Sequence, residues 1–79
     1  MSDYITLNTL KPNERAIIKS VDTDKSMKQR LCDIGLIENT LVECVGVSPL
    51  GDPKAYLIRG AVIAIRNDDS VKIKVLKAE

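Results

Sequence analysis

The chain has 79 residues, 44 % of them hydrophobic, and its twelve basic and eleven acidic residues leave a net charge of +1. A chain of this length builds one small core, so we expect a single domain over residues 1–79. The balanced charge argues against a free nucleic-acid binder, which would usually carry a basic excess. No apolar run reaches the roughly 18 residues that span a bilayer, so no membrane-embedded segment is expected.

The N-terminus and the cysteines predict a location in the cytoplasm. The first residues lack the basic and apolar regions of a signal peptide, and two cysteines without an export signal indicate a reducing compartment. We interpret Cys32 and Cys44 as small core hydrophobes. The alternative is a disulfide, which would need Cα atoms within about 7 Å of each other.

The N-terminal segment predicts an apolar pair, a turn and a strand. Ile5 and Leu7 form the pair, and residues 9–11 suggest a single helical turn. Pro12 and Asn13 then occupy the second and third positions of a turn, where asparagine tolerates positive φ. The alternating residues 15–21 predict the first strand.

Residues 25–34 form the one convincing helix, around which the other segments are organised. Met27, Leu31 and Ile34 recur at i, i+4 and i+7, which places three apolar side chains on one helical face. Leu31 and Ile34 are therefore expected to have structural roles.

The ends of this helix also have sequence signals. Ser26 and Gln29 fit a capping box at the start, and Asp24 is a rival N-cap. Gly35 stands where a left-handed residue would end the helix without a Cβ penalty.

The second half of the chain reads as short strands separated by turns. The loop 48–53 contains two prolines and Gly51, Gly60 marks a turn or bulge, and Asn67 begins another turn. Rolling about five strands into a small barrel removes most unpaired edges. The prediction is a mainly β fold with one short helix inserted after the first strand, the later strands lying at 41–47, 55–59, 61–66 and 71–76.

The side chains needed for most kinds of catalysis are missing. The chain has no histidine, so the commonest general base is absent, and no nucleophile elbow or CxxC motif is present. Two cysteines twelve positions apart do not make a structural zinc site. The pairs Asp22 with Asp24 and Asp68 with Asp69 fall short of a calcium-loop ligand count. We expect neither an enzyme nor a bound cofactor.

The apolar residues that remain suggest a protein-docking face. Two tyrosines and no Phe or Trp cannot line a groove for proline-rich peptides or stack RNA bases. Ile37, Leu41 and Leu50 come from turns and strand starts that could cluster at one end of the barrel. A contiguous exposed patch of this kind marks an interaction site, and the alternative is that the three side chains belong to a secondary core.

Six short motifs follow one another along the chain: Arg30-Leu31-x-Asp33-Ile34-Gly35-Leu36, Thr40-x-Val42, Pro49-Leu50-Gly51-Asp52-Pro53, Tyr56-x-Ile58-x-Gly60, Ile63-Ala64-Ile65-Arg66 and Ile73-x-Val75. In this order and spacing they resemble the ferrous-iron transport protein A family (FeoA). The chain departs from the family where Asn13 and Asn39 replace the usual glycines, a change that still allows left-handed backbone.

The resemblance implies an SH3-like barrel that assists bacterial ferrous-iron uptake. It implies a cytoplasmic accessory protein that docks on the FeoB-type membrane permease, without catalysis. On this reading Arg30, with Asp33 one helical turn away, is either half of a surface ion pair or part of the partner face. The alternatives are a regulatory or nucleic-acid-binding module of SH3-like shape and a weak ferrous-iron chaperone. A weak homo-oligomer is compatible with each of these.

Overall fold

The computed structural model describes residues 4–78, which form a mainly β structure. Six strands, two α-helices and one 3₁₀ turn follow each other along the chain. In order they are β1 (Tyr4–Thr6), the 3₁₀ turn (Leu7–Thr9), β2 (Arg15–Val21), α1 (Lys25–Asp33), β3 (Leu41–Val47), β4 (Lys54–Ile58), β5 (Ala61–Ile65), α2 (Asn67–Ser70) and β6 (Ile73–Ala78).

The strands form one antiparallel sheet in the order β1-β6-β2-β3-β4-β5. The segment from β2 to β5 is a meander, and β6 returns to pair between β1 and β2. Register shifts interrupt the β2–β6 and β3–β4 ladders, and such bulges bend and twist a sheet. The sheet therefore curls around one buried face, with β1 and β5 as its end strands within the described residues.

The core is aliphatic and lies on the concave face of this sheet. Alternate residues of the strands point inward, as the period of two requires. The buried set is Leu7, Leu10, Ala16, Ile18, Leu31, Leu36, Val42, Cys44, Tyr56, Ile58, Ile65, Ile73 and Val75.

The N-terminal segment covers one side of the core. Leu7 and Leu10 are fully buried, and the Tyr56 hydroxyl donates to the Leu7 carbonyl at 3.3 Å. The Lys54 ammonium donates to the Leu10 carbonyl at 3.1 Å and also to the carbonyl of Asn8. These bonds from β4 fix a segment whose own secondary structure is a single 3₁₀ turn.

The structure confirms the mainly β fold with a short helix after the first long strand, and it corrects four details. Tyr4–Thr6 is a sixth strand, paired with β6. The helical turn near residue 9 begins at Leu7, and residues 67–70 form a short helix where a turn was expected. Val71 lies outside β6 and is 47 % exposed. Three-residue strands and single helical turns have too few residues for a periodic signal, so tertiary contacts decide them.

The two asparagines that replace family glycines adopt the left-handed backbone predicted for them. Asn13 has φ of 74° and Asn39 has φ of 70°. Their amides donate across the sheet, from Asn13 to the Cys44 carbonyl and from Asn39 to the Ile18 carbonyl, each at 2.7 Å. Both turns are therefore tied to neighbouring strands as well as closed locally.

Candidate partner-binding surface

Helix α1 has a defined start and a defined end. Asp24 is the N-cap, and its carboxylate accepts from the Met27 amide at 2.8 Å. The capping box of Ser26 and Gln29 was therefore wrong: Ser26 is inside the helix, and Gln29 donates to Asp33 instead. An aspartate cap also places a negative charge at the positive end of the helix dipole.

The C-terminus of α1 is a Schellman motif centred on Gly35. The Gly35 amide donates to the Cys32 carbonyl at 3.0 Å and the Leu36 amide to the Leu31 carbonyl at 2.8 Å, which is the bond pair that defines this motif. Gly35 has φ of +98°, as predicted from its position. Leu31 and Leu36 are both buried, so the motif places two core side chains together.

The hairpin between β4 and β5 lies against this helix end. Arg59 and Gly60 both have positive φ, 52° and 83°, which is the conformation of a two-residue type I′ turn. A Cβ built on Gly35 would lie 2.9 Å from the Arg59 Cδ and 3.5 Å from the Ile58 Cγ2. The missing side chain at Gly35 thus leaves room for the stem of Arg59.

An exposed apolar row crosses four adjacent strands on the convex face of the sheet. In strand register Tyr4 lies opposite Leu76, Leu76 opposite Ile17, and Ile17 opposite Leu41. Tyr4, Leu76 and Leu41 are 50 %, 37 % and 46 % exposed, and Ile17 is half-buried. With strands about 4.8 Å apart, this apolar row extends about 15 Å.

A cleft of about 440 Å³ continues the apolar row beyond Leu41. Its apolar part is Leu41 and Leu57, and Glu43 and Arg59 add one charge of each sign. The remaining lining residues are Asn39, Thr40 and Gly60. Apolar area beside a few polar groups is a composition that protein interfaces share.

The structure does not bring the four predicted site residues together. Ile37 begins the turn that leads to Leu41, since the Thr40 amide donates to the Ile37 carbonyl at 3.2 Å. Leu50 follows the other end of β3, about 20 Å away for a seven-residue strand. Arg30 lies on α1 beside β5. The expected cluster of Ile37, Leu41 and Leu50 at one barrel end was therefore wrong.

The exposed fractions of the side chains show which predicted site residues and which predicted structural residues lie at the surface. Leu50 is 94 % and Ile37 is 38 % exposed, so neither belongs to a secondary core. Leu31 is buried as expected, but Ile34 on the same helical face is 39 % exposed. Because Gly35 turns the chain immediately after it, Ile34 lies at the margin of the helix–sheet contact.

The other two glycines for which a structural role was predicted, Gly51 and Gly60, occupy turns. Gly51 and Gly60 each have φ of +83°. This is a conformation that a residue with a Cβ adopts only at a cost.

The sequence left two roles open for Arg30, an ion pair with Asp33 or a place in the partner face. Arg30 and Asp33 do not form that ion pair. The two salt bridges among the described residues join Lys74 to Asp22 at 3.9 Å and Lys77 to Glu14 at 2.5 Å.

The two cysteines have different environments and are both free thiols. Cys44 is fully buried in β3, as a small hydrophobe would be, whereas Cys32 is exposed on α1. The period of the helix places Cys32 next to Leu31 but on a different face. The core assignment is thus confirmed for Cys44 and wrong for Cys32.

The acidic pairs have roles in local structure. Asp24 caps α1, Asp22 approaches Lys74, and Asp68 and Asp69 lie in the first turn of α2. Across residues 4–78 no three Cys, His, Asp or Glu side chains come close enough to hold a metal ion. In the same part of the chain, no helix is long and apolar enough to cross a bilayer.

Residues 5–77 match the FeoA domain. The chain belongs to the FeoA domain family. The solution structure of FeoA from Chlorobium tepidum is 28 % identical, with a TM-score of 0.91 over 95 % of this chain and 71 % of the other. A search of curated proteins found no match.

The fold of this FeoA domain is SH3-like. FeoA from Stenotrophomonas maltophilia, described as a prokaryotic SH3 domain protein crystallised with zinc, superposes with a TM-score of 0.79 at 23 % identity, covering 90 % of this chain and 88 % of the other. A manganese-dependent transcriptional repressor contains the same fold, with a TM-score of 0.86 at 13 % identity over 99 % of this chain and 44 % of its own. The predicted fold class is thereby confirmed, and the sheet has six strands where about five were expected.

Proposed function

We propose that this FeoA domain is a cytoplasmic accessory protein of bacterial ferrous-iron uptake. It docks on the FeoB-type membrane permease and shifts that transporter between conformational states, without catalysis of its own. Family membership supports the accessory role in iron transport. The FeoA of Stenotrophomonas maltophilia is itself described as a candidate activating factor of ferrous iron transport.

The observation that supports docking is the apolar row together with the adjoining cleft. Four directly opposed apolar side chains lie on the convex face of the sheet, and three of them are more than a third exposed in the described part of the chain. Leu41 and Leu76 are already more than half buried, so burying the rest of each side chain against a partner contributes roughly 1 kcal/mol. Micromolar affinity requires about −8 kcal/mol net of the costs of association, so docking also needs the adjoining cleft and further contacts with the permease.

Copurification with the permease tests the docking surface. Leu41→Asp places a charge where the apolar row meets the cleft, so we expect at least a tenfold loss of retention. Leu50→Asp is the matched control, because Leu50 is more exposed and lies at the far end of β3. Equal retention of the two variants, with both folded by circular dichroism, would remove the apolar row as the docking surface.

Uptake of ferrous iron in cells tests the role itself. Deletion of the gene should change the rate of uptake, and the wild-type chain and Leu50→Asp should both restore it. We expect Leu41→Asp to fail in proportion to its loss of retention. Unchanged uptake after deletion would contradict the accessory role, whatever the copurification shows.

A further inference from the structure

The end strand β5 lacks the sequence features that usually protect a sheet edge. Its five residues, Ala61-Val62-Ile63-Ala64-Ile65, are all apolar and include neither charge nor proline. It pairs with β4 on one side, and no strand within residues 4–78 occupies the other. Natural proteins usually protect such edges with charges, prolines or bulges, because an open edge pairs with other chains.

The hairpin geometry determines which backbone groups of β5 are available. A two-residue type I′ loop closes on a hydrogen-bonded pair, here Ile58 with Ala61. Pairs then alternate along the ladder, so Ile63 and Ile65 bond to β4. The N–H and C=O groups of Val62 and Ala64 point away from β4, toward the open edge.

A groove of about 340 Å³ lies between this strand and helix α1. The helix contributes Met27, Arg30, Leu31 and Ile34, and the strand side contributes Ile63, Ala64 and Ile65. An open strand edge beside a helix is a geometry in which an extended peptide pairs with the strand and packs its side chains on the helix. Six of its nine lining residues are apolar, which suits alternating hydrophobic side chains.

The charges around the groove indicate what the peptide should carry. Arg59 precedes β5, Arg66 follows it, and Arg30 lies on the helix opposite. All three are exposed, and none has a salt-bridge partner among the described residues. Asp69 is the one acidic side chain that lines the groove, so its lining charges sum to +1, and Arg59 adds a cation before β5. Asp68, and Asp52 through its bond with the Asn67 amide, lie beyond Arg66 without lining the groove.

We propose that β5 and α1 bind an extended segment of another protein, apolar at alternate positions and acidic at both ends, which pairs with β5 as an additional strand. A second copy of this chain is the less suitable occupant. Antiparallel self-pairing about Ile63 would place Arg66 of each copy beside Arg59 of the other, and like charges at such positions are unfavourable.

A synthetic peptide tests the inference without permease or iron, so its result is independent of the proposed function. The probe is acetyl-Glu-Val-Thr-Val-Thr-Val-Glu-amide, added to the isotope-labelled protein and followed by NMR. We expect the Val62 and Ala64 amides to shift and their hydrogen exchange to slow at least tenfold. The same peptide with lysine ends should bind at least tenfold more weakly, and a backbone N-methylated version should not protect these amides.

Two variants separate strand pairing from charge. Ala64→Pro removes an edge donor that β4 does not use, which strands tolerate at an edge, and should abolish protection of Val62. The double variant Arg30→Glu, Arg66→Glu should reverse the preference, so that the lysine-ended peptide binds at least tenfold more tightly than the acidic one. Because both arginines are exposed, this variant is expected to stay folded even if the proline variant does not.

Three results would overturn the inference. The first is the absence of any shift with millimolar acidic peptide. The second is binding that perturbs the apolar row instead of β5. The third is protection of the β5 amides that rises with protein concentration in the absence of peptide, because that would identify a second copy as the occupant.

Discussion

Replacing Gly35 by alanine tests whether the end of α1 depends on left-handed backbone. At φ of +98° a residue with a Cβ is strained by about 1–2 kcal/mol. The new Cβ would also lie 2.9 Å from the Arg59 Cδ, but that atom belongs to a flexible, exposed side chain that can move. The Ile58 Cγ2 at 3.5 Å is an ordinary contact. We therefore expect a destabilisation of about 1–2 kcal/mol, nearly all of it from the backbone.

Urea unfolding followed by circular dichroism measures this effect, and Gly46→Ala is the matched control. Gly46 lies in β3 without positive φ, and a Cβ there would meet only the Ala55 Cβ at 4.0 Å, so we expect a change within about 0.5 kcal/mol. The cost of Gly35→Ala should be nearly the same in an Arg59→Ala background. Equal stability of the two glycine variants would refute the backbone argument. A cost that disappears without Arg59 would show that the side-chain contact is its source.

Three further predictions concern Arg59, the helix face and Tyr56. Arg59→Asn should stabilise the protein by roughly 0.5 kcal/mol, because asparagine tolerates the positive φ of a type I′ turn better than arginine; a lower urea midpoint would contradict this. Leu31→Ala should lower the free energy of unfolding by about 2–4 kcal/mol and Ile34→Ala by under about 1 kcal/mol, because their side chains are 5 % and 39 % exposed. Similar losses would indicate that both side chains are equally buried in the core. Burial raises the pKa of Tyr56 to about 12, so the neutral phenol stabilises the fold below pH 10 and this contribution is lost between about pH 10 and 12. Urea unfolding of wild type and Tyr56→Phe should therefore show the wild-type advantage falling by about 1.4 kcal/mol between pH 8 and 11, and a constant difference would refute the raised pKa.

The residues of the proposed docking surface could not be grouped correctly from the sequence. Exposed aliphatic residues in strands were recognised as a surplus, but the grouping of Ile37, Leu41 and Leu50 assumed that these turns and strand starts meet at one end of the barrel. The seven residues of β3 separate Leu41 from Leu50. The apolar row instead joins Leu41 to Ile17, Leu76 and Tyr4, residues whose adjacency depends on register across four strands.

The sequence also did not predict that β5 has an open edge. Residues 61–66 were recognised as a strand, but no local pattern distinguishes an end strand from a central one when all its residues are apolar. The return of β6 to lie between β1 and β2 leaves β5 at the end of the sheet. The sequence also did not predict the positive φ of Arg59, because the two-residue hairpin imposes this conformation and arginine itself does not favour it.

Several local elements could be predicted from the amino-acid sequence: the strand at Arg15–Val21, the helix, the left-handed turns at Asn13, Gly35 and Asn39, and the aliphatic character of the core. These follow from periodicity and from backbone preferences of single residues, which act within a few positions. Tertiary structure alone decided which strand ends the sheet, which apolar side chains meet on its convex face, and that Asp24 rather than Ser26 caps the helix. Those outcomes depend on long-range strand pairing and on the packing of α1 against the sheet, whose energies arise between segments far apart in the chain.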